Sequence, residues 1–383
     1  MTLDWTLACS ACDNTRGPDG LPTVCDQCGQ PWLVRYQRPV PTLTARAEVR
    51  RGHGMWRFRP FLPLAEGEHP ITLGEGDTPL LRLHRAGTAL GLRDLWLKDE
   101  GTNPTGSFKA RGLSAAITRA VAAGATRFVI PTAGNAGVAL AAYASRAGVQ
   151  ARVFAPRTTP PVILEQVRVF GGELELVDGH IGDAGRLAAA WSAAEGAYNV
   201  STLREPYRIE GKKTLAFEIA VQLGWTMPDV IVYPAGGGTG LIGMWKAFGE
   251  LLDAGWVQGT PPRFFAVQST GCAPVVRAFA SGADRCDPWA DPQTVASGLR
   301  VPAPLGDRLM LRTLRESGGG AVAVTDAELT EAARVASRTE GIDVSPEGGA
   351  AFAAVRHLRE NGTLSPEDRV VIFNTGAGWL YRG

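Results

Sequence analysis

The chain has 383 residues, 20% of them charged, and a formal net charge of +1. That length can bury a large core in two domains, and so balanced a charge sets up no global field to recruit nucleic acid or an anionic membrane. No basic start runs into an apolar segment, and no apolar stretch approaches the roughly 20 residues of a membrane span, so neither a signal peptide nor a membrane anchor is expected.

Four of the six cysteines lie in the first 28 residues. Cys9-x-x-Cys12 and Cys25-x-x-Cys28 can each fold into a tight turn that points two sulfurs at one ion. The segment between them, with Gly17, Pro18, Gly20 and Pro22, reads as loop. Four thiolates suit tetrahedral zinc; the alternative is four reduced thiols with chance spacing. Few basic residues flank the pairs, which favours a structural clip over a nucleic-acid contact. Cys272 and Cys286 are isolated, and the whole pattern suits a cytoplasmic protein better than a disulfide scaffold.

Residues 39–74 hold Pro39, Pro41, Pro60, Pro63 and Pro70 and read as an irregular arm. Arg50, Arg51, Arg57 and Arg59, clustered with Trp56 and Phe58, are either a basic patch or arginines lying along the main body. Leu95–Lys98 reads as a strand. Further strands are expected at 128–130, 151–154, 174–177 and 197–200, with alanine-rich helices at 136–147, 161–170 and 184–195. Alternation of this kind predicts a parallel sheet with right-handed crossovers. A helix is expected at 210–223 and strands at 229–233 and 263–267. Residues 269–325 read as an irregular insertion with two short helical patches. Thr325-x-x-Glu328 opens a helix to about 339, and a helix at 346–360 and a strand at 369–373 close the chain.

Three stretches carry chemistry. Asn103-Pro104-Thr105-Gly106-Ser107-Phe108-Lys109-Ala110-Arg111-Gly112 is a turn leading into a helix that Ser107 can cap. Lys109 then sits at the positive end of that helix, where an amine loses basicity and gains nucleophilicity; taken alone it reads as a surface lysine at a helix start, and the two other stretches reverse that. Gly236-Gly237-Gly238-Thr239-Gly240, between an apolar strand and a helix, is a phosphate cradle. Thr375 follows the last strand. An amine, a phosphate cradle and a hydroxyl at strand ends are what pyridoxal phosphate requires.

These pieces resemble the fold-type-II pyridoxal-phosphate enzymes of the tryptophan synthase β-subunit group, and within it the threonine synthases. The match runs through Gly76-Asp77-Thr78-Pro79-Leu80, Ser107-Phe108-Lys109-Ala110-Arg111-Gly112, Gly134-Asn135, the block Pro206–Thr214, the triple glycine and Asn374-Thr375-Gly376. The resemblance implies an α/β fold of two lobes, each with a mostly parallel sheet, plus an N-terminal zinc ribbon. The expected division is 1–38 for the ribbon, 39–112 with 206–383 for a large cofactor lobe, and 113–205 for a small lobe. It implies a Schiff base on Lys109, a hydrogen bond from Asn135 to the cofactor's phenolic oxygen, and a substrate carboxylate received by the loop Thr132, Ala133 and Gly134. Asn135 can equally be read as a helix N-cap. Gly236, Gly237, Gly238, Thr239 and Gly240 would bind the phosphate, and Thr375 would face the pyridine nitrogen. Arg208 and Lys212 are either a solvated face or the charge partners of a substrate phosphate.

The implied reaction is O-phosphohomoserine and water to threonine and phosphate. Two departures bear on the substrate: Ala110 stands where these enzymes usually have Asp, and Ala133, Ala136 and Gly137 lack the hydroxyls usual around Gly-Asn. A serine- or threonine-type ammonia-lyase on the same scaffold is the alternative, and a cofactor-binding protein without turnover is another. The expected partners are a small amino-acid substrate and a second copy in a homodimer, with no nucleic acid and no membrane.

Overall fold

The computed structural model describes residues 3–382. In chain order its strands are β1 (Trp5–Cys9), β2 (Thr15–Arg16), β3 (Trp32–Tyr36), β4 (Leu80–Arg82), β5 (Asp94–Asp99), β6 (Arg127–Pro131), β7 (Gln150–Pro156), β8 (Glu173–Val177), β9 (Tyr198–Asn199), β10 (Val230–Pro234), β11 (Arg263–Ser269), β12 (Gly320–Val324) and β13 (Arg369–Asn374). Packing divides the chain into two units. The first takes the described residues up to Asp77 with Asn103–Thr214; the second takes Thr78–Thr102 and Leu215–Arg382. Residues 39–77, 103–112 and 206–214, expected with the large lobe, therefore group with the first unit. Glu75 is one reason: fully buried, it accepts hydrogen bonds from Trp56 Nε1 at 3.0 Å and from the Tyr143 hydroxyl at 2.5 Å.

The first unit has two sheets. The antiparallel ribbon runs β2-β1-β3, and the parallel sheet runs β8-β7-β6-β9, linked by the helices Asn135–Ala147, Pro161–Val169 and Ile181–Glu195. Three such short strands cannot close a core of their own. Trp5, Leu7, Trp32 and Val34 instead pack with Cys25 against Tyr207, at the start of the helix Tyr207–Gln222. That helix crosses Lys109–Ala122 through glycines. A Cβ on Gly211 would run into the Arg111 carbonyl, and one on Gly112 would lie 3.2 Å from the Arg208 carbonyl oxygen. The Lys109 block and the Pro206–Thr214 block are thus two sides of one backbone-close crossing.

The arm at 39–74 is more regular than expected. It contains a helix, Leu43–Arg51, capped by the Thr42 side chain, and a 3-10 segment, Met55–Phe61. Only Val49 of that helix is buried, so no apolar stripe marks it in the sequence. Arg57 is not a free basic group: it pairs with Asp77 at 3.0 Å.

The second unit is built on a six-stranded sheet, β12-β11-β10-β13-β5-β4, parallel except for β4. Strand β12 falls inside the stretch read as an irregular insertion, between the short helices expected there, Pro274–Ala280 and Asp307–Glu316, and the helix Asp326–Glu340. The strand interior is Leu95, Leu97, Val230, Val232, Val267, Val370 and Ile372, covered by Ala350, Ala351, Ala354 and Val355 of the helix Pro346–Glu360. Buried beneath the sheet end, Lys98 meets Glu218 at 2.8 Å and also donates to the Thr78 carbonyl and to Gln222 Oε1, at 2.7 and 2.9 Å. Such saturation makes a buried ion pair tolerable.

Candidate active site

In the second unit, β10 ends at Pro234 and the chain turns through Ala235-Gly236-Gly237-Gly238 into the helix Thr239–Asp253. Gly238 caps the helix with φ 78°, a left-handed conformation that favours glycine. The neighbours leave no room for side chains. A Cβ on Gly236 would strike the Gly298 carbonyl, one on Gly238 the Met310 thioether, and one on Gly240 the Tyr233 hydroxyl. Gln268 holds the start of the turn by donating from Nε2 to the Ala235 carbonyl at 3.0 Å. The result is a bare backbone at a helix N-terminus, suited to an anion.

Strand β13 lies beside β10 and parallel to it, so Thr375 leaves the same carboxyl edge of the sheet as the glycine turn. Asn374 anchors that exit. Its Oδ1 accepts from the Ser345 N–H and hydroxyl, both at 3.0 Å. Its Nδ2 donates to Asp99 Oδ1 at 2.9 Å and to the Asp343 carbonyl at 3.0 Å. Burial pushes the Asp99 carboxyl above its usual range, against the pull of that Asn374 bond. Glu347 Oε1 accepts from the Gly298 N–H at 2.7 Å, which fixes the residue that walls Gly236. Ser345 and Glu347 had no pattern to reveal them beyond a helix start, and Gln268 had none.

In the first unit, Lys109 opens its helix as expected, but Phe108 occupies the cap position; Ser107 Oγ accepts from the Lys109 N–H at 3.4 Å. The Phe108 ring brings two lysines together. Lys109 Nζ lies 4.3 Å and Lys212 Nζ 4.0 Å from its centroid, and Lys212 also donates to the Phe108 carbonyl. Both Arg208 and Lys212 are fully buried, which removes the solvated-face reading. Arg208 Nη1 donates to the Val200 carbonyl at 2.7 Å, while its Nε and Nη2 have no hydrogen-bond partner among the described residues. Glu205 caps the same helix, accepting from the Tyr207 N–H at 2.7 Å and the Arg208 N–H at 3.2 Å. Burial pushes the Glu205 carboxyl up to about 7, against the Arg208 charge and those N–H groups, and burial also pulls the Arg208 guanidinium down.

Beyond β6, Thr132 Oγ1 accepts from the Gly134 N–H at 3.1 Å and closes the turn into the helix Asn135–Ala147. Gly134, with extended φ −166°, is the cap, so Asn135 is the first helical residue and not the N-cap. One departure from the family pattern acquires a steric cause: a Cβ on Gly137 would lie 2.7 Å from Thr132 Cγ2 and 2.9 Å from Val153 Cγ1. Ala110 is fully buried, so an aspartate there would require desolvation.

The ribbon brings Cys9, Cys12, Cys25 and Cys28 together as free thiols, their sulfurs all within 4.8 Å of one another. They form a group able to hold a metal ion. Among the described residues no helix is long and apolar enough to cross a membrane.

Residues 71–376 match the family described as pyridoxal-phosphate dependent enzyme. The chain belongs to the pyridoxal-phosphate dependent enzymes. It is 32% identical over 372 residues to a threonine synthase of Methanocaldococcus jannaschii, covering 97% of this chain and 91% of that one. A structure of maize serine racemase shares the fold with TM-score 0.70 at 20% identity, over 89% of this chain and 94% of that one. An L-serine ammonia-lyase from Rhizomucor miehei aligns with TM-score 0.68 at 25% identity, over 82% and 99%. The resemblance and the α/β fold-type-II class read from the motifs are borne out. The glycine cradle, walled where a Cβ on Gly236, Gly238 or Gly240 would point, fits a phosphate, and Lys109 at a helix start fits the amine that pyridoxal phosphate requires.

Proposed function

We propose that the protein is a lyase that converts O-phosphohomoserine and water to threonine and phosphate. The observation that carries this reading is the 32% identity to a threonine synthase over nearly the whole chain. When bound, pyridoxal phosphate supplies an electron sink for the carbanion left by proton removal at the substrate Cα. Lys109 anchors the cofactor and its released amine takes and returns that proton. Gly236, Gly237, Gly238, Thr239 and Gly240 bind the cofactor phosphate through N–H groups and the Thr239 hydroxyl. Thr375, aimed by Asn374, gives the ring nitrogen a hydroxyl and not a carboxylate, which suits elimination and replacement better than transamination. Asn135 orients the ring, and the loop Thr132, Ala133 and Gly134 takes the substrate carboxylate. Arg208 and Lys212 receive the substrate phosphate; the two Arg208 nitrogens without partners support this role.

The test is to incubate purified protein with O-phosphohomoserine and follow phosphate and threonine together. Appearance of both supports the reading. The ammonia-lyase alternative is favoured by the likeness to an L-serine ammonia-lyase and by Ala110. It takes over if neither product forms while serine or threonine yields a keto acid and ammonia.

For the ribbon the metal is read as zinc in a structural role. Tetrahedral bonds of about 2.3 Å put sulfurs about 3.8 Å apart. The contacts Cys9–Cys28, Cys12–Cys28 and Cys12–Cys25 measure 3.4, 3.6 and 3.8 Å. One zinc per chain on metal analysis is the expected result, and a content near zero in reduced protein removes the site. The same reading places the protein in the cytoplasm as a homodimer, which the mass of the purified protein in solution tests.

A further inference from the structure

We propose that Tyr36 is a positioning residue that ties the four-cysteine ribbon to the helix Tyr207–Gln222 and thereby fixes Arg208 and Lys212. The inference rests on the reading above for what those two cations bind.

Helical geometry sorts this segment into two faces. Tyr207, Glu210 and Lys213 recur at i, i+3 and i+6 and share one side; Arg208 and Lys212, at i and i+4, share the opposite side. The ribbon grips the first face. The Tyr36 hydroxyl, at the end of β3, donates to Glu210 Oε2 at 2.6 Å. The same oxygen meets Lys213 Nζ at 2.7 Å, and both of those residues are fully buried. Lys213 Nζ also donates to the Phe61 carbonyl at 2.7 Å and lies 4.6 Å from the centroid of the Tyr36 ring.

Two further ties come from the loop between the cysteine pairs. The Tyr198 hydroxyl donates to the Pro22 carbonyl at 2.6 Å, and the Tyr207 hydroxyl to the Pro18 carbonyl at 3.4 Å. Pro18 and Pro22 lie between Cys12 and Cys25, so an ion held by the four sulfurs would also anchor those carbonyls. Tyr207 itself completes the ribbon core. With so little core of its own, a ribbon stripped of metal loses the fixed face on which the helix rests. On the opposite face, Lys212 donates to the Phe108 carbonyl and Arg208 to the Val200 carbonyl.

The experiment uses the cofactor- and metal-loaded protein and Tyr36→Phe, which keeps the ring and deletes the hydroxyl, with Arg208→Ala as the reference for the function of the helix. Amide hydrogen exchange of residues 207–214 is measured alongside steady-state kinetics with O-phosphohomoserine. Tyr36→Phe should raise KM about tenfold with kcat within about twofold, since a hydrogen bond to a buried charged group is lost. It should also speed exchange at 207–214 while leaving the helix Thr239–Asp253 unchanged. Chelation of the wild-type metal should reproduce the exchange change without releasing the cofactor. If Arg208→Ala raises KM but Tyr36→Phe alters neither KM nor exchange, the positioning role is overturned. If Tyr36→Phe and chelation speed exchange while Arg208→Ala leaves KM unchanged, the tie stands and the phosphate reading of Arg208 falls.

Discussion

Two turns lead from parallel strands into helices, and they are held by different means. The glycine turn after β10 is fixed by exclusion: Gly298, Met310 and Tyr233 stand where side chains would be, and Gly238 takes a left-handed φ of 78°. The turn after β6 is held by hydrogen bonds, among them those of the Thr132 hydroxyl, and its cap glycine is in an extended conformation open to most residues. The first is a rigid mould and the second a latch. A cofactor phosphate never changes during turnover and suits a mould. A substrate carboxylate that arrives and leaves suits a turn that can adjust.

The largest effect expected from this contrast is at Gly238. Gly238→Ala forces a left-handed conformation on a residue with a Cβ and drives that Cβ into Met310. Strain and overpacking together cost about 2–5 kcal/mol. Cofactor affinity, read by absorbance titration of the stripped protein, should fall about 100-fold or more. Retention of wild-type affinity would mean that the turn adapts and is no mould.

Asn374→Ala comes next. It removes four hydrogen bonds, two of them buried, and leaves the Ser345 N–H and the Asp99 carboxyl without this partner. The cost should be about 2–3 kcal/mol in urea unfolding. Because the glycine turn stays intact, cofactor affinity should change less than in Gly238→Ala. The reverse ranking would place the control of cofactor binding at the β13 exit.

Much of this was legible in local sequence. The parallel strands are short apolar runs, the helices between them are alanine-rich, and Pro346–Glu360 matches its expected span because Ser345 and Pro346 mark its start. What escaped lacks a local signal. Gly320–Val324 is a strand only because β11 lies beside it; Gly-Ala-Val-Ala-Val alone carries weak strand preference. Lys98 and Glu218 lie far apart in sequence, and no periodicity links them. Spacing marks Lys109, the glycines and the cysteines as candidates, but not the residues that contact and position their turns. Asn374, Gln268 and Glu347 act through contacts, and contacts are not written in spacing. For Arg208 and Lys212, polarity suggested solvent while packing buried them.

Acid should separate the second unit's helices from either turn. The Glu328 carboxyl is held down at about 2, first by the Thr325 N–H, then by the Thr325 hydroxyl, and less by His357, whose Nε2 is 2.8 Å away. A lowered carboxyl contributes stability above its unfolded value near 4.5, and that contribution is lost as pH falls from there towards 2. Glu328→Gln should therefore lower the melting temperature slightly at neutral pH and flatten its decline below pH 4.5. A decline as steep as in wild type would assign the acid sensitivity to another group.

The smallest effect should come from the latch. Thr132→Val keeps the shape of the side chain and the contact of its methyl with Gly137, but loses the hydroxyl that accepts from the Gly134 N–H at 3.1 Å and donates to the Gly134 carbonyl at 3.2 Å. The turn is half-exposed, so water can take over both groups. The net loss should be about 1 kcal/mol, close to fivefold in KM for the amino-acid substrate, with cofactor affinity unchanged. That split is what distinguishes a latch from a mould, because a rigid element would lose both together. If Thr132→Val instead released the cofactor, or cost as much as Gly238→Ala, the β6 turn would prove to be held as tightly as the glycine turn. The missing hydroxyls at Ala133, Ala136 and Gly137 would then mark a turn that has exchanged adaptability for packing.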